Sequence, residues 1–193
     1  MSTQENPSKN IIPLRSDDKP VLFISHRHDD RAIADVLRRF IEARTGGRVV
    51  VFQSSSSSAK GPQQGENLRN ELKRNLWDSS VIILVYTSND QDWSFCMWEC
   101  GLAQASGPTN TKAVVFQCTD QFPTPFADQV RVTVRNEQEI ERFVNALLTQ
   151  PAYFPTLGRA VTDFTAGTEP ELEAAHELYS ALQEVLPSPD EID

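Results

Sequence analysis

Cysteine, histidine and methionine are scarce in this 193-residue chain, with three, three and two copies, and lysine plus arginine are outnumbered 18 to 27 by aspartate plus glutamate. Each shortage excludes something. Three cysteines, an odd number, give no disulfide framework, and Cys96 and Cys100, four apart on a predicted helix, read as reduced packing residues. Three histidines supply no cluster that would complete a metal site with that pair, so no metal is expected. A net charge of −9 argues against direct nucleic acid binding, which needs Lys and Arg to displace counterions from the phosphate backbone. A nucleotide-sized ligand would need a local basic spot. No apolar run approaches the ~20 residues required to span a bilayer. The polar start MSTQENPSKN also lacks a signal-peptide core. The expectation is a soluble, cytoplasmic protein without membrane contact, its 39% hydrophobic content suiting one globular domain with some tail.

What is present is an alternation of short apolar runs and amphipathic stretches. Residues 1–19 are polar apart from Ile11-Ile12 and read as a disordered arm. Val21-Leu22-Phe23-Ile24 and Val49-Val50-Val51-Phe52 fit strands buried on both faces, and Val81-Ile82-Ile83-Leu84-Val85 is the strongest such signal, hence central. Ala113-Val114-Val115-Phe116 and a weaker run from Val130 to Val134 bring the count to about five. Between them, Ile33, Leu37, Phe40 and Ile41 recur at helical spacing, with Asp29 or Asp30 as cap and Gly46-Gly47 as stop. Another helix covers roughly Trp93 to Ala105, and Asn136 with Glu139 resembles a capping box for one carrying Ile140, Phe143, Val144, Leu147 and Leu148. This order specifies an α/β domain over residues 20–149, an open parallel sheet with helices on both faces. After Gln53 come five serines and a stretch to Gly65 without periodicity, a loop that is either a binding loop or an insert.

Residues 150–193 change character. Pro151, Pro155, Gly158 and Gly167 break the chain before a helix carrying Leu172, Ala175, Tyr179, Leu182 and Leu186, followed by an acidic tail or linker. That helical extension either packs back on the domain or docks on a partner module.

In open parallel sheets the ligand crevice lies beyond the carboxyl ends of the strands, here Ser25-His26-Arg27, Ser54-Ser55 and Thr87-Ser88. The helix that follows the central strand, Trp93-Ser94-Phe95-Cys96-Met97-Trp98-Glu99-Cys100-Gly101-Leu102-Ala103, is apolar or small almost throughout, yet Glu99 sits in its middle. A carboxylate there is costly unless it faces a cleft or a cation, and desolvation should raise its pKa. Phe95, one turn earlier, is expected to flank it. The plainer alternative is a glutamate emerging at the solvent edge of a half-buried helix. Arg27 follows a buried strand and precedes a helix, a place where a guanidinium meets a phosphate or carboxylate; it also reads as a solvated surface arginine. His26 and His28 are spaced i, i+2 with no third metal ligand in view, and Lys60 in the long loop either reaches an anionic substrate or is merely solvated.

Together these segments resemble the Toll/interleukin receptor (TIR) domain, bacterial type. Phe23-Ile24-Ser25-His26 looks like its first-strand box. Phe52-Gln53-Ser54-Ser55 and the loop ending Gly65-Glu66-Asn67-Leu68 resemble the second strand and its BB loop, and the segment from Ser94 to Ala103 looks like the helical signature in which Ser, Cys, Glu and Gly-x-Ala recur. The resemblance implies a flavodoxin-like fold and, in enzymatic members, NAD+ cleavage by the glutamate at the position of Glu99. It also implies nucleotide contacts from Arg27 and His28 under a closing BB loop. The expected substrate-binding set is Arg27, His28, His26, Ser54, Phe95 and Lys60. Two departures stand out: Gln53-Ser54 where many members have an aspartate, and Cys100 where leucine is common. On this reading NAD+ is substrate, no cofactor is used, and the products are nicotinamide and ADP-ribose or a cyclic isomer. The family further implies TIR-TIR self-association, a fused or separate sensor module, and activation by oligomerisation in prokaryotic defence signalling. The alternative it offers is a non-catalytic adaptor.

Overall fold

The computed structural model describes residues 19–54, 75–77, 79–106, 111–119, 126, 129–149, 153 and 169–186. The expected N-terminal arm, the serine-rich loop with Lys60 and the acidic tail lie outside the described residues, as does most of the stretch from 150 to 168.

The apolar runs form five strands: β1 (Val21–Ser25), β2 (Val50–Gln53), β3 (Ser79–Tyr86), β4 (Lys112–Gln117) and β5 (Val130–Thr133). They pair in parallel in the order β2-β1-β3-β4-β5, with Phe23 beside Phe52 and Ile82, and Leu84 beside Val115. That order is flavodoxin-like, with a switch point between β1 and β3 where the chain changes its direction of travel across the sheet. All eight residues of β3 are buried, as its unbroken apolar run required.

Helix α1 (Arg31–Thr45) presents Ile33, Leu37, Phe40 and Ile41 to the sheet. It stops where expected. Gly46 takes φ 56° and Gly47 φ 69°, and their N–H groups donate to the carbonyls of Ala43 and Glu42 at 3.2 Å. Helix α2 (Ser94–Ser106) covers the opposite face with Leu76 and Phe126, while α3 (Glu137–Thr149) lies on the α1 side. The Asn136 side chain caps α3, accepting from Gln138 N–H at 3.1 Å. Glu139 departs from the expected box: its carboxylate accepts from Thr133 N–H at 2.7 Å, tying the helix to β5.

Helix α4 (Glu169–Val185) packs back on the domain, against α1 and α3. Ala174, Ala175, Leu178 and Leu182 are buried in the same core as α1 and α3. The Gln183 amide donates to the Val134 carbonyl at 2.9 Å, and Arg44 pairs with Glu177. The buried stripe differs from the expected one at its start, since Leu172 is 44% exposed and Glu171 is buried. A stripe about 100° wide admits two registers when small residues such as Ala174 also fit inside. Among the described residues no helix is long and apolar enough to cross a membrane.

Candidate active site

The carboxyl ends of β1, β2 and β3 converge as the topology requires. Ser54, just past β2, is held at the rim by its N–H to the Ile24 carbonyl at 3.2 Å and its hydroxyl to the His26 carbonyl at 3.3 Å. His26 is buried, its Nδ1 3.3 Å from the Ile24 carbonyl, and burial lowers its pKa, with the backbone contact opposing. It is a wall of the rim. His28 is exposed on the 3-10 turn His28–Asp30.

Trp93 fixes the start of α2. Its Nε1–H donates to the Ser88 carbonyl at 2.7 Å, its ring lies 4.7 Å from that of Tyr86, and the Asp92 carboxylate accepts from Ser94 N–H at 2.9 Å. The Arg27 guanidinium rests over the Trp93 ring at 5.6 Å and pairs with Asp29 at 3.2 Å. Stacking and pairing together hold the cation at the rim.

With its first turn fixed, α2 turns Cys96, Glu99, Cys100 and Ala103 towards the sheet. Glu99 is 0% exposed. The Ser25 hydroxyl, at the carboxyl end of β1, donates to Glu99 Oε2 at 2.5 Å, while Oε1 has no hydrogen-bond partner among the described residues. Burial raises the Glu99 pKa to about 7, the Ser25 hydrogen bond opposing. Cys96, which is hydrogen-bonded to the same hydroxyl and stands near the Glu99 charge, is pushed up to about 11, chiefly by burial. Its thiol stays protonated at neutral pH.

The solvent-edge alternative for Glu99 therefore fails. So does the picture of Phe95 as its flank, because the Phe95 ring is 58% exposed and packs against Trp98, centroids 5.6 Å apart. The outer face of α2 is left uncovered, which a helix apolar on nearly all sides did not lead one to expect. The structure brings Glu99, Ser25, His26, Ser54 and Arg27 to one rim, and leaves His28 and Phe95 at the surface. Sequence reasoning missed Ser25 as the Glu99 partner and treated Asp30 only as a helix cap. Asp30 is in fact buried, bonded to Thr87 beyond β3, and its pKa is raised by desolvation against the opposing effects of Thr87 and Arg27. No group of three or more His, Cys, Asp or Glu side chains suited to a metal occurs among the described residues.

A parallel sheet in the order β2-β1-β3-β4-β5 with helices on both faces defines the class of flavodoxin-like open α/β domains. Within that class the family is specific: the family model for the TIR domain matches residues 22–148, and the chain belongs to the TIR domain family. Members of this family act in signalling through TIR-TIR association, and both NAD+-cleaving and non-catalytic members occur. No curated protein matches the chain. Among solved structures it is similar to a diflavin flavoprotein A3 from Nostoc sp. at 12% identity and TM-score 0.37, covering 86% of this chain and 92% of that one. It is also similar to the flavodiiron protein from Giardia intestinalis at 12% identity and TM-score 0.33, covering 88% of this chain and 38% of that one.

Proposed function

We propose that the chain is an NAD+ glycohydrolase in which Glu99 is the catalytic carboxylate. The observation that carries this reading is the Glu99 side chain itself: wholly buried, held by one hydroxyl, with its second oxygen unpartnered among the described residues. A desolvated carboxylate is strongly attracted to a developing positive charge, because little water screens it. Breaking the nicotinamide-ribose bond creates that charge at C1′. Nicotinamide departs with the bonding electron pair and is neutral, so no second carboxyl is needed to protonate it. Water then adds to C1′ and gives up a proton, yielding ADP-ribose; attack by an internal nucleophile yields a cyclic isomer. Ionised Glu99 stabilises the oxocarbenium character and accepts hydrogen bonds from the ribose hydroxyls, Arg27 takes the pyrophosphate, and Ser54 and His26 shape the wall.

Because Glu99 is wholly buried, the rim must part before a ribose can reach it. Opening is coupled to self-association, so nicotinamide release per molecule should rise with protein concentration or with clustering. The test measures nicotinamide released from NAD+ by the full chain across concentration, with Glu99→Gln beside it. Release that vanishes in the variant supports the reading. Equal inertness of both under clustering conditions leaves the adaptor, which the exposed Phe95 and Trp98 rings favour as a docking face.

A further inference from the structure

The structure assigns a second function-bearing carboxylate at the same rim: we infer that Asp30 binds the hydroxyls of a ribose, that of the adenosine half of the substrate. The inference rests on the dinucleotide reading above and adds to it the group that recognises the half not being cleaved.

Three observations meet at Asp30. It does nothing for the helix it precedes, since the 3-10 turn runs directly into α1 and the Asp30 side chain makes no capping hydrogen bond there. It is 9% exposed, and its Oδ2 has no hydrogen-bond partner among the described residues. A buried acceptor left without a donor is destabilising and rare in native proteins, so Asp30 Oδ2 is available to a donor that a ligand brings. Finally, its placement is that of a ligand group. Asp30 follows β1 and bonds to Thr87, which follows β3, so it spans the switch point between those two strands. The thiols of Cys96, on α2, and Cys118, just past β4, both feel its charge. Cys96 also feels Glu99, which puts both carboxylates in the neighbourhood of one side chain.

The chemistry selects the ligand. A carboxylate with a free oxygen accepts from neutral O–H or N–H donors, and beside it stands the Arg27 guanidinium, whose charge acts on Asp30 and whose carbonyl accepts from Asp30 N–H at 3.0 Å. An acid with an arginine close by matches a ribose with its 5′-phosphate: hydroxyls to the carboxylate, phosphate to the cation. A dinucleotide carries two riboses, and the rim carries two buried carboxylates, each with one oxygen unpartnered among the described residues. Glu99 serves the ribose whose bond breaks, and Asp30 the other.

The test is binding rather than turnover. ADP-ribose and an analogue lacking both adenosine-ribose hydroxyls are titrated calorimetrically into the full chain and into Asp30→Asn, which keeps the size and removes the charge. The wild type should bind ADP-ribose about tenfold more tightly than the analogue, as expected for a hydrogen bond to a charged group. Asp30→Asn should bind both ligands alike, at the weaker affinity, with an unchanged or higher urea midpoint. A purely structural role would instead lower that midpoint and weaken both ligands equally. Retained discrimination in Asp30→Asn, or a wild type blind to the hydroxyls, overturns the inference. A wild type that discriminates but releases no nicotinamide removes the hydrolase and leaves Asp30 as a ribose site; release by a hydroxyl-blind wild type does the reverse.

Discussion

Replacing Glu99 by glutamine should change how stability depends on pH, whatever it does to activity. Burial moves this carboxyl from an ordinary 4.5 to about 7 in the folded chain. Because the folded state prefers the protonated form, the stability this acid contributes is fully present below 4.5 and is lost as pH rises through about 7. Over that interval the loss is about 3 kcal/mol, at 1.36 kcal/mol for each pK step. Glutamine does not titrate. It adds an offset of its own, since its amide protons enter a pocket where Ser25 is the hydrogen-bond partner, but that offset is the same at every pH.

The quantity to measure is the stability of Glu99→Gln minus that of the wild type, from urea unfolding at pH 5, 6, 7 and 8. It should climb by about 2–3 kcal/mol across the range, steepest below neutrality and flattening above it. With a urea slope of about 2 kcal/mol/M, the midpoint difference between the two proteins should widen by about 1 M or more. Parallel curves would refute the reasoning. They would mean that Glu99 ionises with an ordinary pKa, and a carboxylate that does so is hydrated in solution and is not held in a dry pocket.

Two further substitutions separate the rim from the scaffold. Ser25→Ala removes the donor to Glu99 Oε2, so the Glu99 pKa rises further, the stability difference above shifts to higher pH, and nicotinamide release at pH 7 falls roughly tenfold or more, the value of a charge-assisted hydrogen bond; an unmoved pH profile would show that the hydroxyl does not govern the acid. Leu178→Ala, at the buried contact of α4 with α1 and α3, should cost about 2–4 kcal/mol in urea unfolding. A loss below about 1 kcal/mol would show that this helix is not part of the folded core.

The centre of the sheet was legible because buried parallel strands declare themselves locally, whereas β2, read as buried on both faces, lies at the edge with Val50 46% exposed. Five branched or long apolar residues in a row at Val81–Val85 have few other uses, and Gly46-Gly47 ends α1 because the left-handed turn there needs residues without a Cβ. Glu99 was legible for the opposite reason, as the one acid in an apolar helix. Its partner was not. Ser25 lies 74 positions away, and a serine ending a strand has no feature that tells a structural hydroxyl from one aimed at a carboxylate. Asp30 was read as a cap because aspartate before a helix usually is one; that a 3-10 turn would precede the helix and swing the side chain inwards depends on β3 lying alongside. Phe95 was misplaced because i, i+4 neighbours share a face only within about 40°, enough to put one inside and its neighbour outside where the helix leaves the sheet.

Burial of the rim has two consequences that pull in opposite directions. It makes Glu99 a strong partner for positive charge, since the water that would screen it is gone, and it raises the pKa to about 7, so that the ionised, reactive form is only partly populated at neutral pH. A substrate that brings positive charge and hydroxyl donors reverses the second effect while exploiting the first, because hydrogen bonds to the ionised form lower the pKa again. Glu99 is thus least costly to the fold when protonated. If the proposed hydrolase reading holds, association between copies need supply no chemical group to the site. On that reading, stabilising a parted rim would suffice, and a bound dinucleotide would favour the ionised form of Glu99.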